Sequence, residues 1–364
     1  MAIYHHRFGK FGLALGSLLA FAAVSELATR LCFPECRFVD PRIDGYWISR
    51  LQLSNDFELV FTADTEHDPT LGWRMRRGYR TGAVSHNSVG FRGDHEYQDV
   101  TESFRIAVIG DSFAYGLGVP DEATFASRLA KLAGAEVINA GVNGYGLDQA
   151  ILMWETEVRR FSPDLVILSY FVDDFIRSGL SVRDWPKPRF VEEDETGQYK
   201  LIGLPVFDEA ERARSVDRAH LRTLDAIRWF FRGINRRLGR GPDSLLVERA
   251  RLSAFLLERL RDSVRDNGGQ LLVAIIPHCR YEEYAHGSWI IDRIIADCES
   301  LDVPHVVFSS DLSTTYEMYG SNCHWSECGH RVAAQLLCEL IRSSNGRRTR
   351  GSRQLRDPSS PVVP

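Results

Sequence analysis

The chain is poor in cysteine and proline, and its charges nearly balance. It holds 7 Cys and 14 Pro among 364 residues, too few cysteines for a disulfide scaffold, and it has no paired Cys-x-x-Cys units of the zinc-module kind. A formal charge of -5 argues against a nucleic-acid-binding surface spread over the molecule. Internal repeats are missing, and a hydrophobic content of 44% argues against disorder. A hydrophobic core must hold the fold, in one main domain with appendages.

One long apolar run is present, and it lies at the N-terminus. Residues Phe11–Val24 follow two basic residues, and apolar spacing continues to about Pro34. We therefore predict a membrane-anchoring signal helix over residues 1–35, with the body of the protein on the periplasmic or extracytoplasmic side. The small-x-small triplet Ala20-Phe21-Ala22 leaves open a cleaved signal, which would release a secreted body. A buried core helix is the third alternative.

The remaining chain divides by composition. We expect a lead-in segment over residues 36–103 that packs on the main domain. The main domain covers residues 104–343 and carries an insertion over 177–242. Residues Asn345–Pro364 contain five Arg, three Pro and no apolar periodicity, so we predict a disordered basic tail over 344–364.

Short β-branched runs alternate with longer amphipathic stretches in the main domain. This alternation predicts an α/β fold with a parallel five-stranded sheet between layers of helices. Each predicted strand is nearly continuously apolar, as expected for a strand buried on both faces. The predicted strands are Phe104–Ile109, Glu136–Asn139, Leu165–Tyr170, Gln270–Ile276 and His305–Phe308, and the helices begin near Asp121, Leu147, Asp243, Gly287 and Glu327. The loops after the strands then share one sheet edge, where α/β proteins build their sites.

The loops after these strands carry polar residues and glycines. Gly110-Asp111-Ser112 follows the first strand, and a serine at such a turn exposes its hydroxyl and offers its amide to an oxyanion. Asn139–Gly146 follows the second strand without Gly-x-Gly-x-x-Gly spacing, which argues against nucleotide binding. Phe171–Phe175 follows the third strand, and Ser321–His330 precedes the last helix. A serine early and a histidine late are the chain order of a hydrolase built on this edge.

These loops resemble the blocks of the SGNH branch of the GDSL esterase and lipase superfamily, and of its membrane-tethered bacterial members in particular. Ser112 matches the nucleophile, and Gly144 matches the glycine whose amide joins the Ser112 amide in the oxyanion hole. Phe171–Asp174 occupies the third block, and His324 matches the catalytic histidine of the fifth. The resemblance implies a flavodoxin-like three-layer fold over about residues 104–341, a serine nucleophile, and neither a cofactor nor a metal.

Segments outside the blocks resemble the tethered members as well. Asp68–Trp73 and Asn87–Gly93 look like the lead-in of those proteins, and Arg189–Leu201 looks like a hairpin insertion.

Two positions depart from the family pattern. Asp173 stands where the family has an oxyanion-hole Asn, and an ionised carboxylate cannot donate a hydrogen bond and repels a developing anion. Ser321 and Asn322 stand where the family has the Asp that orients the histidine. Loss of that carboxylate costs about 10⁴-fold in a serine protease, although the Asn322 oxygen or a backbone carbonyl can accept the imidazole Nδ1 hydrogen.

Three interpretations of these departures stay open. In the first, Ser112 attacks with His324 as base, and Asp173 is protonated or turned aside. In the second, the site binds an acylated glycan or lipid without turnover. In the third, Asp173 replaces the missing carboxylate and orients His324.

Several other side chains have competing interpretations. Cys323 and Cys328 are free buried thiols or form a disulfide that stiffens the histidine loop. His330 packs at the start of the last helix, Cys338 belongs to the core, and His278 is a loop histidine or touches substrate. Trp229-Phe230-Phe231 is ordinary packing or a lid over an acyl groove.

The expected substrate follows from the anchor and the resemblance. A body outside the membrane meets cell-surface polymers, which makes O-acyl groups on envelope or extracellular carbohydrate the leading substrate. A sugar hydroxyl in place of water would make the enzyme an O-acyltransferase. The expected partners are an ester substrate and, through the N-terminal helix, a membrane, with no nucleic acid.

Overall fold

The computed structural model describes residues 2–32, 63–181, 183, 185–193, 197–206, 223–224, 227, 244–279, 287–308, 319 and 323–348. Several predictions lie wholly or partly outside these residues. They concern Ser321 and Asn322, the aromatic triplet 229–231, the helix start near Asp243, the end of the anchor over 33–35, the first part of the lead-in segment, much of the insertion and most of the basic tail.

A five-stranded parallel sheet forms the centre of the main domain. Its strands are β5 (Arg105–Gly110), β6 (Glu136–Gly141), β7 (Leu165–Phe171), β10 (Gln270–Ile276) and β11 (His305–Val307), in the order β11-β10-β7-β5-β6. This is the flavodoxin-like order. All five predicted strands are confirmed to within two residues at each end. The apolar runs of β5, β6, β7 and β10 are buried on both faces of the sheet, whereas β11, at the sheet edge, is half-buried.

Helices cover both faces of the sheet, as predicted. On one face α3 (Phe125–Ala133) packs against α8 (Glu327–Arg348). On the other face α4 (Leu147–Met153), α5 (Val172–Arg177), α6 (Ser244–Asp266) and α7 (Gly287–Ser300) pack together. The helix α8 runs to Arg348, five residues past the predicted domain end, so the predicted basic tail begins as helix. The fold is a three-layer α/β sandwich.

The lead-in segment forms two small antiparallel hairpins. The first pairs β1 (Thr65–Asp68) with β2 (Gly72–Met75), and the second pairs β3 (Arg80–Thr81) with β4 (Val84–Ser85). Leu71 and Trp73 are fully buried in the same apolar core as the sheet. The described part of the lead-in therefore packs on the main domain.

The insertion contains the predicted hairpin. Strands β8 (Arg189–Glu193) and β9 (Gln198–Ile202) pair in antiparallel register. Just before β8, the buried Lys187 ammonium donates a hydrogen bond to the buried Asp148 carboxylate at the start of α4. This ion pair ties the insertion to the sheet edge that carries the predicted site residues.

The N-terminal run forms one continuous helix, α1 (Ala2–Cys32). Its window Leu15–Cys32 has a mean hydropathy of 1.4 and is exposed, so the helix is long and apolar enough to span a membrane or to be a signal sequence. Glu26, near the end of this window, accepts hydrogen bonds from the backbone N–H (3.0 Å) and the hydroxyl (2.9 Å) of Thr223. The insertion thus touches the end of α1.

Candidate active site

The nucleophile block forms a tight turn between β5 and the short helix α2 (Ser112–Tyr115). Gly110 has a φ of +142°, and a Cβ there would lie 2.4 Å from the Ser169 carbonyl oxygen, so only glycine fits. Asp111 caps α2 by accepting the Phe113 backbone N–H at 2.9 Å. Ser112 then begins the helix at the carboxyl edge of the sheet, with 7% of its surface exposed.

The structure brings Ser112 and His324 together across 212 residues of sequence. Ser112 Oγ lies 2.8 Å from His324 Nε2, which is hydrogen-bond distance for a nucleophile and its base. The His324 ring lies 5.2 Å from the Phe113 ring, and the next residue, Trp325, packs edge-on against Phe113 at 5.1 Å. These aromatic contacts hold the histidine loop against helix α2.

The histidine loop is also held by a disulfide that the sequence did not indicate. Cys323 bonds to Cys279, which follows β10, with their Cα atoms 5.6 Å apart, while Cys328 is a free thiol. Both sequence interpretations of Cys323, as a free thiol or as the partner of Cys328, are therefore wrong. The correct partner is 44 residues away, and only the convergence of loops at the sheet edge brings it close.

Asp173 lies at the start of α5, which follows β7 at the carboxyl edge of the sheet. Its Oδ2 is 3.7 Å from the Arg177 guanidinium. Its Oδ1 is buried and has no hydrogen-bond partner among the described residues. Asp173 thus presents a carboxylate oxygen, and no donor amide, where the family has an asparagine.

Arg177 is a residue of this site that was not predicted from the sequence. Its Nη1 lies 3.1 Å from Asp111 Oδ2 and 2.9 Å from Asp174 Oδ1, and its Nη1 also donates to the Tyr145 carbonyl at 3.4 Å. One guanidinium thus contacts three carboxylates, and one of them, Asp111, lies 3.3 Å from Ser112 Oγ. Its position one turn after Asp173 and Asp174 is the only sequence signal that could have revealed it.

Burial shapes the protonation of this carboxylate cluster. Burial raises the pKa of Asp111, and the positive charge of Arg177 opposes that shift. Burial and the negative charge of Asp111 raise the pKa of Asp174 well above its usual value. Both effects favour retention of a proton, which reduces the negative charge next to Ser112 and His324.

The glycine block forms the second wall of the site. Gly141 packs so closely on α2 that a Cβ would lie 2.2 Å from the Tyr115 nitrogen. The Val142 N–H donates to the Gly110 carbonyl at 3.1 Å, so this loop follows the nucleophile turn. Gly144 has a φ of +81°, a conformation that favours glycine.

The remaining predicted side chains fall in different places. His330 is buried, and its Nδ1 accepts the Phe125 backbone N–H at 3.2 Å. Cys338 is buried in the core, as predicted. His278 stacks on Phe171 at 5.9 Å, at the same sheet edge as Ser112. Within the described ranges, no three His, Cys, Asp or Glu side chains are grouped to hold a metal ion.

A scan against protein-family models and a search of curated proteins give no match. Among the 48 matching chains of known structure, one is a lipolytic protein of the G-D-S-L family from Desulfitobacterium hafniense, 11% identical with a TM-score of 0.40 over 65% of this chain and 99% of that one. A lipase/acylhydrolase from Enterococcus faecalis is 12% identical with a TM-score of 0.41 over 66% and 96%.

A third similar structure is that of a carbohydrate esterase, 12% identical with a TM-score of 0.38 over 69% of this chain and 67% of that one. At such identities and TM-scores these similarities are not evidence for an activity. Any inference about activity must rest on the residues of this chain. The Gly110–Ser112 turn, the glycine block, the third block and His324 lie at one edge of a sheet in the flavodoxin-like order. The structure therefore shows an α/β domain with Ser112 and His324 in contact at the carboxyl edge of its parallel sheet.

Proposed function

We propose that this protein is a serine hydrolase of the SGNH/GDSL type that acts on ester-linked acyl groups. The observation that carries the proposal is the 2.8 Å contact between Ser112 Oγ and His324 Nε2. A hydroxyl that only caps a helix does not require a histidine there, whereas acyl transfer requires a base within this distance of its nucleophile.

The reaction follows from the positions of these groups. Ser112 Oγ attacks the ester carbonyl carbon while His324 Nε2 takes the hydroxyl proton. The amides of Ser112 and Gly144 stabilise the oxyanion of the tetrahedral intermediate. The C–O bond to the alcohol then breaks, the alcohol leaves with the proton from His324, and an acyl-serine remains. Water, deprotonated by His324, attacks the acyl carbon. The bond from that carbon to Ser112 Oγ breaks, the carboxylic acid leaves, and His324 returns the proton to Ser112. We assign Asn322 the role of accepting the His324 Nδ1 hydrogen.

The cluster around Arg177 supports catalysis despite Asp173. Arg177 engages Asp111 Oδ2, which is also 3.3 Å from Ser112 Oγ. A carboxylate occupied by a guanidinium is a weaker competitor for the serine proton, which favours transfer to His324. The same guanidinium offsets the charge of Asp173 near the oxyanion position. We expect a working but slowed enzyme.

We propose acylated carbohydrate of the cell envelope or the extracellular space as the substrate class. The N-terminal helix, as a membrane anchor or a signal, would place the body outside the cytoplasm, where such polymers occur. The Cys279–Cys323 disulfide fits that placement, because disulfides persist in oxidising compartments. A sugar hydroxyl that resolves the acyl-serine in place of water would give an O-acyltransferase.

A second candidate is binding without turnover, and one observation favours it. Asp173 Oδ1 is buried without a hydrogen-bond partner among the described residues, and such an oxygen can accept a hydroxyl from a bound sugar. Under this alternative the Ser112→Ala variant binds acylated polysaccharide with the same affinity as the native protein. Neither of the two proteins then releases an acid from the polysaccharide.

A fluorophosphonate serine probe tests the proposed function. The probe is applied to the full-length protein in detergent, with Ser112→Ala and His324→Ala as controls. The matched variant is Ser253→Ala, which changes a buried serine of α6 whose hydroxyl is hydrogen-bonded to Tyr170. We expect labelling of the native protein and of Ser253→Ala but of neither control. An unlabelled native protein with an intact thermal transition would refute the serine mechanism and favour the binding candidate. Acid release from acetylated polysaccharide then tests the substrate class.

A further inference from the structure

The buried indole of Trp73, in the lead-in segment, is hydrogen-bonded to the glycine loop of the site. Trp73 Nε1–H donates a hydrogen bond to the Asn143 carbonyl oxygen at 2.9 Å. Trp73 is fully buried, and its ring packs edge-on against Tyr145 at 5.5 Å. It therefore contacts both residues that flank Gly144.

Residues in and after the glycine loop donate hydrogen bonds back to the lead-in segment. The Tyr145 hydroxyl donates to the Trp73 carbonyl oxygen at 2.5 Å, and the Gln149 side-chain amide donates to the Leu71 carbonyl at 2.7 Å. Three hydrogen bonds thus join the turn at Leu71–Trp73 to the loop and the helix that follow β6. All these side chains are buried, where water does not compete for the bonds.

The carbonyl that Trp73 holds belongs to the peptide unit that contains the Gly144 N–H. The Asn143–Gly144 bond is trans, since the cis bond in the described ranges is Leu204–Pro205. A trans peptide is planar, so its C=O and N–H point in opposite directions. Fixing the Asn143 oxygen toward Trp73 therefore fixes the Gly144 N–H away from it.

Glycine needs such external restraint more than any other residue. Gly144, at a φ of +81°, has no side chain to restrict its torsions, and a free glycine loses the most conformational entropy on ordering. Oxyanion stabilisation depends on donors that are already oriented before charge develops. The contacts on both sides of Gly144 supply that orientation.

We propose that Trp73 is a positioning residue of the oxyanion hole, which aims the Gly144 amide through its hydrogen bond to the Asn143 carbonyl. The inference rests on the proposed function, in which Gly144 donates to the oxyanion. It also makes the lead-in segment a working part of the active site rather than a spacer between anchor and domain.

The test compares Trp73→Phe with Trp154→Phe in the full-length protein. Each substitution keeps an aromatic ring and removes one buried N–H. The Trp154 indole donates to Ser263 Oγ at 2.9 Å, away from the site, which makes it a matched control. With 4-nitrophenyl acetate as probe ester, we expect Trp73→Phe to lower kcat by about 10- to 100-fold with KM within about twofold, since a misdirected oxyanion donor loses much of its effect.

The control variant should keep kcat within about twofold of the native value, because its lost hydrogen bond does not touch the loop. Equal kcat values for Trp73→Phe and the native protein would overturn the proposal, and so would an equal loss in both variants. If Trp73→Phe does not fold, Tyr145→Phe removes the opposite hydrogen bond and must lower kcat for the proposal to stand.

A second measurement separates this inference from the proposed function. The sequence has three Asn-Gly pairs, at Asn143, Asn267 and Asn345, so labelling Asn at its carbonyl carbon with ¹³C and Gly with ¹⁵N leaves three selected amide signals. We expect the Gly144 signal to move in Trp73→Phe and to stay in place in Trp154→Phe. The Gly268 signal can respond to Trp154→Phe, because Asn267 is hydrogen-bonded to Ser263. An unmoved Gly144 signal would overturn the proposal even if the native protein turns over no ester.

Discussion

Cys323 is bonded to Cys279 and directly precedes His324, so one covalent link holds the candidate base on the loop that follows β10. Cys323 also has a φ of +62°, a conformation uncommon for a residue with a side chain. The disulfide and the Phe113 packing together fix the His324 ring near Ser112.

We expect reduction of this disulfide to lower turnover. Cys279→Ser should reduce kcat by about tenfold or more, because small displacements of a positioned base carry a large cost, and it should lower the free energy of unfolding by about 2–4 kcal/mol. Ester turnover with and without dithiothreitol measures the effect. Cys328→Ser is the control, because Cys328 is a free thiol near the same loop. It should keep native activity and native sensitivity to dithiothreitol, and a Cys279→Ser variant with native kcat would contradict the prediction.

Removal of Arg177 should destabilise the protein and slow turnover. Arg177→Gln leaves buried Asp111 and Asp174 without their cation, which costs about 3–5 kcal/mol for a broken buried pair. Urea unfolding measures this loss. The double variant Arg177→Gln with Asp174→Asn should recover part of it, because a buried carboxyl group that has lost its cation is then replaced by a neutral amide. Equal stability of the single and double variants would show that the two groups do not interact.

Asp173→Asn should raise turnover. The substitution replaces the carboxylate by an amide that can donate a hydrogen bond, at the position where the SGNH pattern has its oxyanion-hole asparagine. One such donor is worth about 10²- to 10³-fold in a serine hydrolase. We expect kcat to rise by at least about tenfold on 4-nitrophenyl acetate. Asp173→Ala, which removes the charge without adding a donor, should give a smaller gain. A collapse of activity in Asp173→Asn would instead assign Asp173 the orientation of His324.

His330 should make stability depend on pH. Burial, with the nearby positive charges of Arg128 and Arg92, lowers the pKa of His330 from 6.5 to about 3. Between these values the unfolded state binds one more proton than the folded state, so the free energy of unfolding falls by about 1.4 kcal/mol per unit as the pH drops.

The measurement for His330 is urea unfolding at pH 7 and pH 5. Between pH 7 and pH 5 the free energy of unfolding of the native protein should fall by about 2 kcal/mol more than that of His330→Gln, because glutamine does not titrate. The glutamine side-chain oxygen can still accept the Phe125 N–H. Parallel losses in the two proteins would mean that His330 titrates normally in the folded state.

Much of the fold could be read from the sequence because it depends on local patterns. Strands buried on both faces must be continuously apolar, so β5, β7 and β10 stand out as short β-branched runs. The helices α4, α7 and α8 begin at the predicted residues. Ser112 and His324 could be named from block order, and their contact follows from the rule that the loops after parallel strands share an edge.

The supporting residues could not be read in this way, because their partners are distant in sequence. Arg177 is the fourth residue after Asp173 but reaches back 66 positions to Asp111, and the charge pattern of α5 alone predicts a solvated face. Trp73 lies 70 positions before Asn143, in a segment with no catalytic motif.

The α/β class, the strand positions, the candidate serine and histidine and the apolar N-terminal helix could all be predicted from the amino-acid sequence, since each is encoded in composition, periodicity or a short motif. Three contacts could be found only in the folded chain: the disulfide partner of Cys323, the bonds of Arg177 to the carboxylates near Ser112, and the hydrogen bond of Trp73 to the Asn143–Gly144 peptide. Those contacts depend on how loops from separate strands meet at the sheet edge, and that meeting is a property of the packed core rather than of any local stretch of chain.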